Sequence, residues 1–407
     1  MKKLISLVLI AMLVLGGLTG CSSSNGQESG NNEADTQEEA KLKIGIISVG
    51  DESEGYSYAH LEGIKKAAAA VGLSDDQIII RTNVHETQEC YDQAVNLVEE
   101  GCTLIISNSY GHQSYMEQAA AEFPEVQFVA DTGDTAAKSG LDNFANAFTK
   151  VYESRYVSGV VAGMKLAELV ADGKLTEANY DENGNIKIGY VGAYTYAEVI
   201  SGFTAFYLGI RSVVENVAMQ VTYTGSWFDI TKEGAAAEKL MANGCVIIGQ
   251  HADSTGAPAA VQAAWEAGTV AYSVGYNVDM LGVAPQAALT SATNNWASYY
   301  TYAFTQFVNG EKIATDWAEG YETGTVEITE LGESCAEGTE EMVAKVIDEI
   351  KSGSLHVFDV TTFTVDGAQL TEADEHVRDG YFHESETISA PAFAYIIDGI
   401  TNLDTVY

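Results

Sequence analysis

Residues 100–106 read Glu100-Gly101-Cys102-Thr103-Leu104-Ile105-Ile106, and residues 243–248 read Asn243-Gly244-Cys245-Val246-Ile247-Ile248. In each, an amphipathic stretch stops at a glycine and an apolar run starts at once. A helix closed by a left-handed glycine and followed directly by a buried strand gives this pattern. A second pair echoes the first. Ile44-Gly45-Ile46-Ile47 opens one half of the chain and Ile188-Gly189-Tyr190-Val191 opens the other, each leading into a Gly-bearing turn and helix-spaced residues. The duplication predicts two similar lobes.

The neighbouring sequence extends the pattern. Short apolar runs stand at 43–48, 78–81, 103–107, 126–130, 186–191, 217–223, 246–249 and 270–275. Helical spacing fills the intervals, as at 59–71, 87–100, 113–122, 198–214, 232–242 and 259–267. Strands alternating with helices imply βαβ units and parallel sheets covered on both faces. The expected fold class is therefore α/β, with two doubly wound parallel-sheet lobes. About 365 residues follow residue 41, more than one hydrophobic core normally spans. The first lobe is expected from 42–155 plus a return segment of about 289–330. The second is expected from 156–288 plus about 331–407, with residues 366–407 capping it.

The first residues point to export. Lys2 and Lys3 precede an apolar run at 4–15, too short to span a bilayer but suited to a signal peptide. Leu18-Thr19-Gly20-Cys21 resembles the lipobox of bacterial lipoproteins, which implies cleavage after residue 20 and a lipid on Cys21. Residues 22–41 are Ser, Asn, Gln, Glu and Gly with almost no apolar side chain, and read as a disordered tether. The expected location is the extracytoplasmic face of the cell membrane.

The chain carries 58 acidic and 20 basic residues, a net charge of −38. No basic patch is visible, which argues against nucleic-acid binding. The charge reads as a solvated surface that favours a soluble monomer. Cys90, Cys102, Cys245 and Cys335 show no CxxC spacing and no matching His pairs, so no metal site is expected. The spacing is compatible with free thiols or with a disulfide.

In doubly wound sheets, ligands sit beyond the carboxyl ends of the strands. The segments there are 49–58, Asn108-Ser109-Tyr110-Gly111-His112, Asp131-Thr132-Gly133-Asp134, Gly192-Ala193-Tyr194, Gly225-Ser226-Trp227-Phe228-Asp229 and Gln250-His251-Ala252-Asp253-Ser254-Thr255. Tyr276-Asn277-Val278-Asp279 and Asn294-Asn295-Trp296 follow. Nearly every one pairs an aromatic ring with an amide, hydroxyl or carboxylate. Flat rings stack planar ligands and the polar groups read their edges. These segments nominate Tyr56, Ser57, Tyr110, Asp229 and Asp279 as ligand contacts. Catalysis is not expected. His251 lies near Asp229 and Asp253 in sequence, but no GxSxG, GxGxxG or GxxxxGK[ST] motif occurs, so no enzyme activity and no cofactor are predicted.

Over residues 42–365 the chain resembles the basic membrane protein (BMP) family of ABC-importer substrate-binding lipoproteins. The carrying stretches are 43–63, Tyr156-Val157-Ser158-Gly159-Val160-Val161-Ala162-Gly163 within 151–167, 225–244 and 275–280. Gly225-Ser226-Trp227-Phe228-Asp229 followed by Lys232 is similar to the family's Gly-Ser-aromatic-x-Asp-Pro-x-Lys stretch, with Ile230 in place of Pro. The resemblance implies the periplasmic-binding-protein type I fold, a hinge, an interlobe cleft and a purine ligand held between one ring from each lobe. Tyr56 and Trp227 stand at the stacking positions, and Asp131 matches an Asp at the end of the fourth strand. Two departures matter. Asn277 stands where nucleoside receptors have an Asp, and Asn294 or Asn295 stands where they have a Lys. Gln250, His251, Asn295 and Trp296 resemble a subgroup associated with free purine bases such as adenine. The implied partners are a purine base or nucleoside, and an ABC permease with its ATPase. A sensory protein feeding a receptor kinase or chemoreceptor is the other reading of the same fold.

Overall fold

The computed structural model describes residues 42–404, so the leader, Cys21 and the tether lie outside the described residues. The strands are β1 (Ile44–Ile47), β2 (Ile78–Arg81), β3 (Leu104–Ser107), β4 (Gln127–Asp131), β5 (Phe144–Thr149), β6 (Ile186–Gly192), β7 (Val217–Tyr223), β8 (Ile247–Gln250), β9 (Tyr272–Tyr276), β10 (Ala288–Asn294), β11 (Asp316–Glu319), β12 (Val326–Ile328), β13 (Val377–Arg378), β14 (Tyr381–Phe382) and β15 (Ile400–Asn402). The helices are α1 (Gly55–Val71), α2 (Gln88–Glu99), α3 (Gln113–Glu122), α4 (Ala136–Ser139), α5 (Val151–Ala171), α6 (Ala197–Arg211), α7 (Ile230–Ala242), α8 (Gly256–Glu266), α9 (Trp296–Val308) and α10 (Thr339–Lys351).

The glycine stops behave alike in the two halves. Gly101 and Gly244 take φ of 88° and 93°. Gly101 N donates to Val98 O and Cys102 N to Leu97 O; Gly244 N donates to Met241 O and Cys245 N to Leu240 O. This paired bonding caps each helix and turns the chain straight into β3 or β8. Cys90, Cys102, Cys245 and Cys335 are free thiols.

Two sheets result. The first runs β11-β5-β4-β3-β1-β2 and is parallel throughout. The second runs β12-β10-β9-β8-β6-β7-β15, parallel except where β12 meets β10. In both, the strand order reverses at the opening strand, between β1 and β3 and between β6 and β8. A crevice opens beyond the carboxyl ends of the strands at such a reversal. Two of these reversals therefore define the walls of one cleft.

The chain passes between the sheets at Lys150, Asn295 and Gly320. The expected return segment 289–330 is split by these passages. Only β11 joins the first sheet, with α9 packed beside it in the first-lobe core, whereas β10 and β12 lie in the second. The reason is compositional: Ala288–Asn294 is buried along its whole length yet carries Thr290, Ser291, Thr293 and Asn294. Thr290 Oγ1 donates to Thr329 O at 2.9 Å, Thr293 Oγ1 donates to Asn277 O at 2.6 Å and Asn294 Oδ1 accepts from Thr149 Oγ1, while Ser291 Oγ is buried without a partner. A strand satisfied this way does not announce itself by apolar residues.

Beyond α10 the chain has little regular structure and packs on the second lobe. Phe358 stacks on Phe393 at 4.4 Å, and Phe363 and Phe382 close around them. β15 extends the sheet beside β7. Ser389 donates to Asp316 of β11 through N at 2.9 Å and Oγ at 3.0 Å, tying this segment to the first sheet. Glu384 is fully buried, accepting from Ser201 Oγ at 2.5 Å and from Ala392 N and Phe393 N at 2.9 Å. Burial outweighs these donors and pushes its carboxyl up to about 7. The folded state thus keeps a proton that the unfolded state loses near the ordinary Glu value, so stability drops as pH rises through this window. One such group gives a slope of up to about 1.4 kcal/mol per pH unit. Glu384→Gln, whose amide oxygen can accept from both backbone N–H groups while its NH2 donates to Ser201 Oγ, should flatten the fall in melting temperature between pH 5 and 8. An unchanged slope would refute the assignment.

Candidate functional site

The cleft between the two reversals has a volume of about 470 Å³, within the range of small-molecule sites. Its first wall comes from the loop after β1, the start of α1, the end of β3 and Thr132. That loop is held by side chains behind it. Val49 N donates to Asn108 Oδ1 at 2.9 Å and Gly50 N to Ser57 Oγ at 3.1 Å. Glu54 caps α1, accepting from Tyr56 N at 2.7 Å and Ser57 N at 2.9 Å. Tyr56 lines the cleft, its hydroxyl donating to Asn108 O. Its ring rests edge-on against His60 at 4.5 Å and Trp296 at 6.3 Å.

The second wall is aromatic. Tyr194, Trp227, Phe228 and Tyr276 line it with Glu198, His251 and Asp253. Trp227 meets Tyr194 edge-on at 5.0 Å, and Tyr194 stacks on Tyr196 at 5.2 Å. Tyr110 of the first wall reaches Tyr196 at 5.5 Å, so the two lobes touch at the rim. His251 Nε2 faces Glu198 Oε1 at 3.1 Å. Burial, then the nearby Arg155 charge, lowers the His251 pKa and keeps the ring neutral. Asp253 Oδ1 accepts from Asn277 Nδ2 at 2.6 Å. Burial and the surrounding carboxylates push the Asp253 carboxyl well above its ordinary value.

Four of the nominated residues, Tyr56, Tyr110, Trp227 and His251, line this cleft. The other eight stand behind or beside it. Ser57 and Gln250 shape their own loops; Gln250 Nε2 donates to Ala252 O at 2.6 Å and Ser254 O at 2.9 Å. Asp131 is wholly buried, accepting from Tyr300 OH at 3.0 Å, and desolvation raises its pKa strongly. Trp296 lies in the first-lobe core, stacked on His60 at 3.9 Å, where it backs the Tyr56 ring. Asp229 caps α7 and pairs with Lys232. Asp279 accepts from Leu281 N in an exposed turn. Asn277, at a left-handed φ of 63°, is buried against Asp253. Asn295 sits at the passage between lobes, donating to Gly324 O at 3.1 Å.

Glu54, Tyr194, Glu198, Asp253 and Tyr276 line the cleft without having been nominated. Tyr194, Asp253 and Tyr276 stand in the strand-end segments, whereas Glu198 lies on a helix and gives no strand-end signal. Arg155 was also missed. It is the one Arg of α5 and is followed at once by the uncharged run 156–164, and that was a usable signal. Among the described residues, no group of three or more His, Cys, Asp or Glu could hold a metal ion, and no helix is long and apolar enough to cross a membrane.

Two doubly wound lobes enclosing a cleft at their strand ends make the class a two-lobed solute-binding protein of the type I periplasmic fold. The family described as "ABC transporter substrate-binding protein PnrA-like" matches residues 41–359, and the chain belongs to it. A purine-binding protein of Brucella abortus is 30% identical over 84% of this chain and 90% of its own length. A protein of Haloferax volcanii named for glucose binding in an ABC transporter is 26% identical over 78% of this chain and 73% of its own. An ABC-transporter solute-binding protein of Aeropyrum pernix, solved as a crystal structure, superposes with a TM-score of 0.64. It is 16% identical and covers 78% of this chain and 93% of its own, a likeness of fold. The family is one of extracytoplasmic solute-binding proteins that take a small molecule and work with a transporter.

Proposed function

We propose that this protein is the substrate-binding lipoprotein of an ABC importer, anchored through Cys21, and that it captures a purine base between its lobes. The observation that carries this reading is one aromatic ring on each wall, Tyr56 and Trp227, across a cleft sized for a small planar molecule. The purine-binding relative supports the ligand class. The choice of base over nucleoside rests on Asn277 and Asn294. Both are buried and amidic, and each is engaged within the protein: Asn277 with Asp253, and Asn294 with Thr149 Oγ1 at 2.5 Å. Neither offers a charge to ribose hydroxyls.

Calorimetry with adenine, guanine, hypoxanthine, adenosine and glucose tests the ligand. Bases should bind at least as tightly as the nucleoside, and glucose should not bind. A nucleoside preference would overturn the base reading, and binding of glucose alone would overturn the purine reading. Detergent partitioning of Cys21→Ala tests the anchor: the variant should leave the detergent phase, and partitioning like the wild type would refute lipidation at Cys21.

A further inference from the structure

Arg155 is the least expected residue in the second lobe. It lies in α5, among valines and small residues, and is only 2% exposed. Its guanidinium carbon sits 3.6 Å from the centre of the Tyr276 ring, a close cation–π arrangement. Nη1 donates to Gln250 O at 2.5 Å, while Nε and Nη2 have no hydrogen-bond partner. A buried guanidinium with most of its donors unpaired is expensive, and an apolar side chain would fill the same space at less cost. Beside it, α6 makes room for the His251 ring. A Cβ on Gly202 would lie 3.1 Å from His251 Nδ1 and 3.6 Å from Arg155 Nε.

What Arg155 touches is the underside of the cleft. Tyr276 lines the cleft directly, and Gln250 immediately precedes His251, which does the same. The charged and titratable groups around it come from every neighbouring element: Tyr190 on β6, Glu198 on α6, His251 and Asp253 after β8, and Tyr276 on β9. Glu54 from the first lobe and Glu233 from α7 also act on Asp253. Burial and these carboxylates push Asp253 up, and the Arg155 charge pulls it down.

We propose that Arg155 is the positioning residue of the ligand cleft, holding the ends of β8 and β9 in their binding geometry and supplying the positive charge that balances the cleft carboxylates. The proposal rests on the reading of this cleft as the ligand site. Arg155 itself does not line the cleft; it acts through Tyr276, His251 and Asp253.

The test measures adenine affinity by calorimetry across pH 5–8, together with ligand-free melting, for the wild type, Arg155→Met, Arg155→Lys and Gly202→Ala. Arg155→Met should bind at least tenfold more weakly at neutral pH while melting no lower than the wild type. Its loss of affinity on acidification should begin at higher pH, because Asp253 then lacks its cation. Arg155→Lys should restore the wild-type pH profile but not the full affinity, since an ammonium cannot lie flat on Tyr276 and reach Gln250 O in the same way. Gly202→Ala should weaken binding without moving the profile. If Arg155→Met fails to fold, the lysine and alanine variants still decide. Wild-type affinity and an unmoved profile in Arg155→Met, or a lysine variant whose profile shifts, would overturn the proposal. A wild type that binds no purine would instead overturn the reading of the cleft, and this proposal with it.

Discussion

Trp227→Ala should weaken adenine binding by about one to two orders of magnitude and leave ligand-free melting nearly unchanged. Stacking a nucleobase on a protein ring contributes roughly 1–3 kcal/mol by alanine substitution, and about 1.4 kcal/mol is tenfold in affinity. Trp227 is half-buried, held edge-on by Tyr194 and near Tyr196 and His251, and it lines the cleft. Its backbone carbonyl, which accepts from Asp253 N at 2.8 Å, survives the substitution, so the loop keeps its course. Tyr56→Ala should weaken binding likewise. Tyr56→Phe keeps the ring and loses only the hydroxyl's bonds to Asn108 O and the Thr132 side chain, so it should fall in between. The competing role is packing within the lobe, since Trp227 also touches the second-lobe core. Unchanged affinity with a melting temperature many degrees lower would identify Trp227 as a core residue and dispose of the clamp.

Tyr56 and Trp227 were legible in the sequence as rings at strand ends that do line the cleft, but Trp296, a ring nominated on the same ground, packs in the first-lobe core. The amides were not legible. Gln250 and Asn277 have the right chemistry to read a base edge, yet both side chains are spent inside their own lobe. Residue type cannot say whether an amide at a strand end faces a ligand or caps its own loop, because both positions need the same donors and acceptors. The fold shows the same division. Gly101 and Gly244 marked the helix stops because a left-handed backbone selects glycine strongly. β10 escaped notice because most of its polar side chains are satisfied by partners distant in sequence, such as Thr329 O for Thr290. Glu198 and Arg155 were hidden for a third reason: both stand on helices, Glu198 lining the cleft and Arg155 behind it, so no strand-end argument could nominate them.

The close packing of α5 on α6 also went unread, although its signal stands in Gly159, Gly163 and Gly209, and it carries the largest expected stability effect. A Cβ on Gly209 would lie 2.1 Å from Tyr156 O, and one on Gly159 would lie 2.2 Å from Phe206 O. These are backbone atoms of the facing helix and cannot swing aside as a side-chain tip would. Gly209→Ala must therefore separate the helices, an overpacking cost of about 3 kcal/mol or more. For a lobe of this size the melting temperature should fall on the order of 5–10 °C. Helix propensity pulls the other way, since Ala exceeds Gly by about 1 kcal/mol in a helix interior. Gly234 on α7 isolates that opposing term. The nearest atom to its built Cβ is Gly256 O at 3.4 Å, an ordinary contact. Gly234→Ala should thus melt at or above the wild-type temperature while Gly209→Ala melts far below it. Because α5 also carries Arg155, Gly209→Ala should lose adenine affinity along with stability, whereas Gly234→Ala should keep both. Two alanine variants with the same melting temperature would mean that the helices part without cost, and that the glycines of α5 and α6 are not what brings them together.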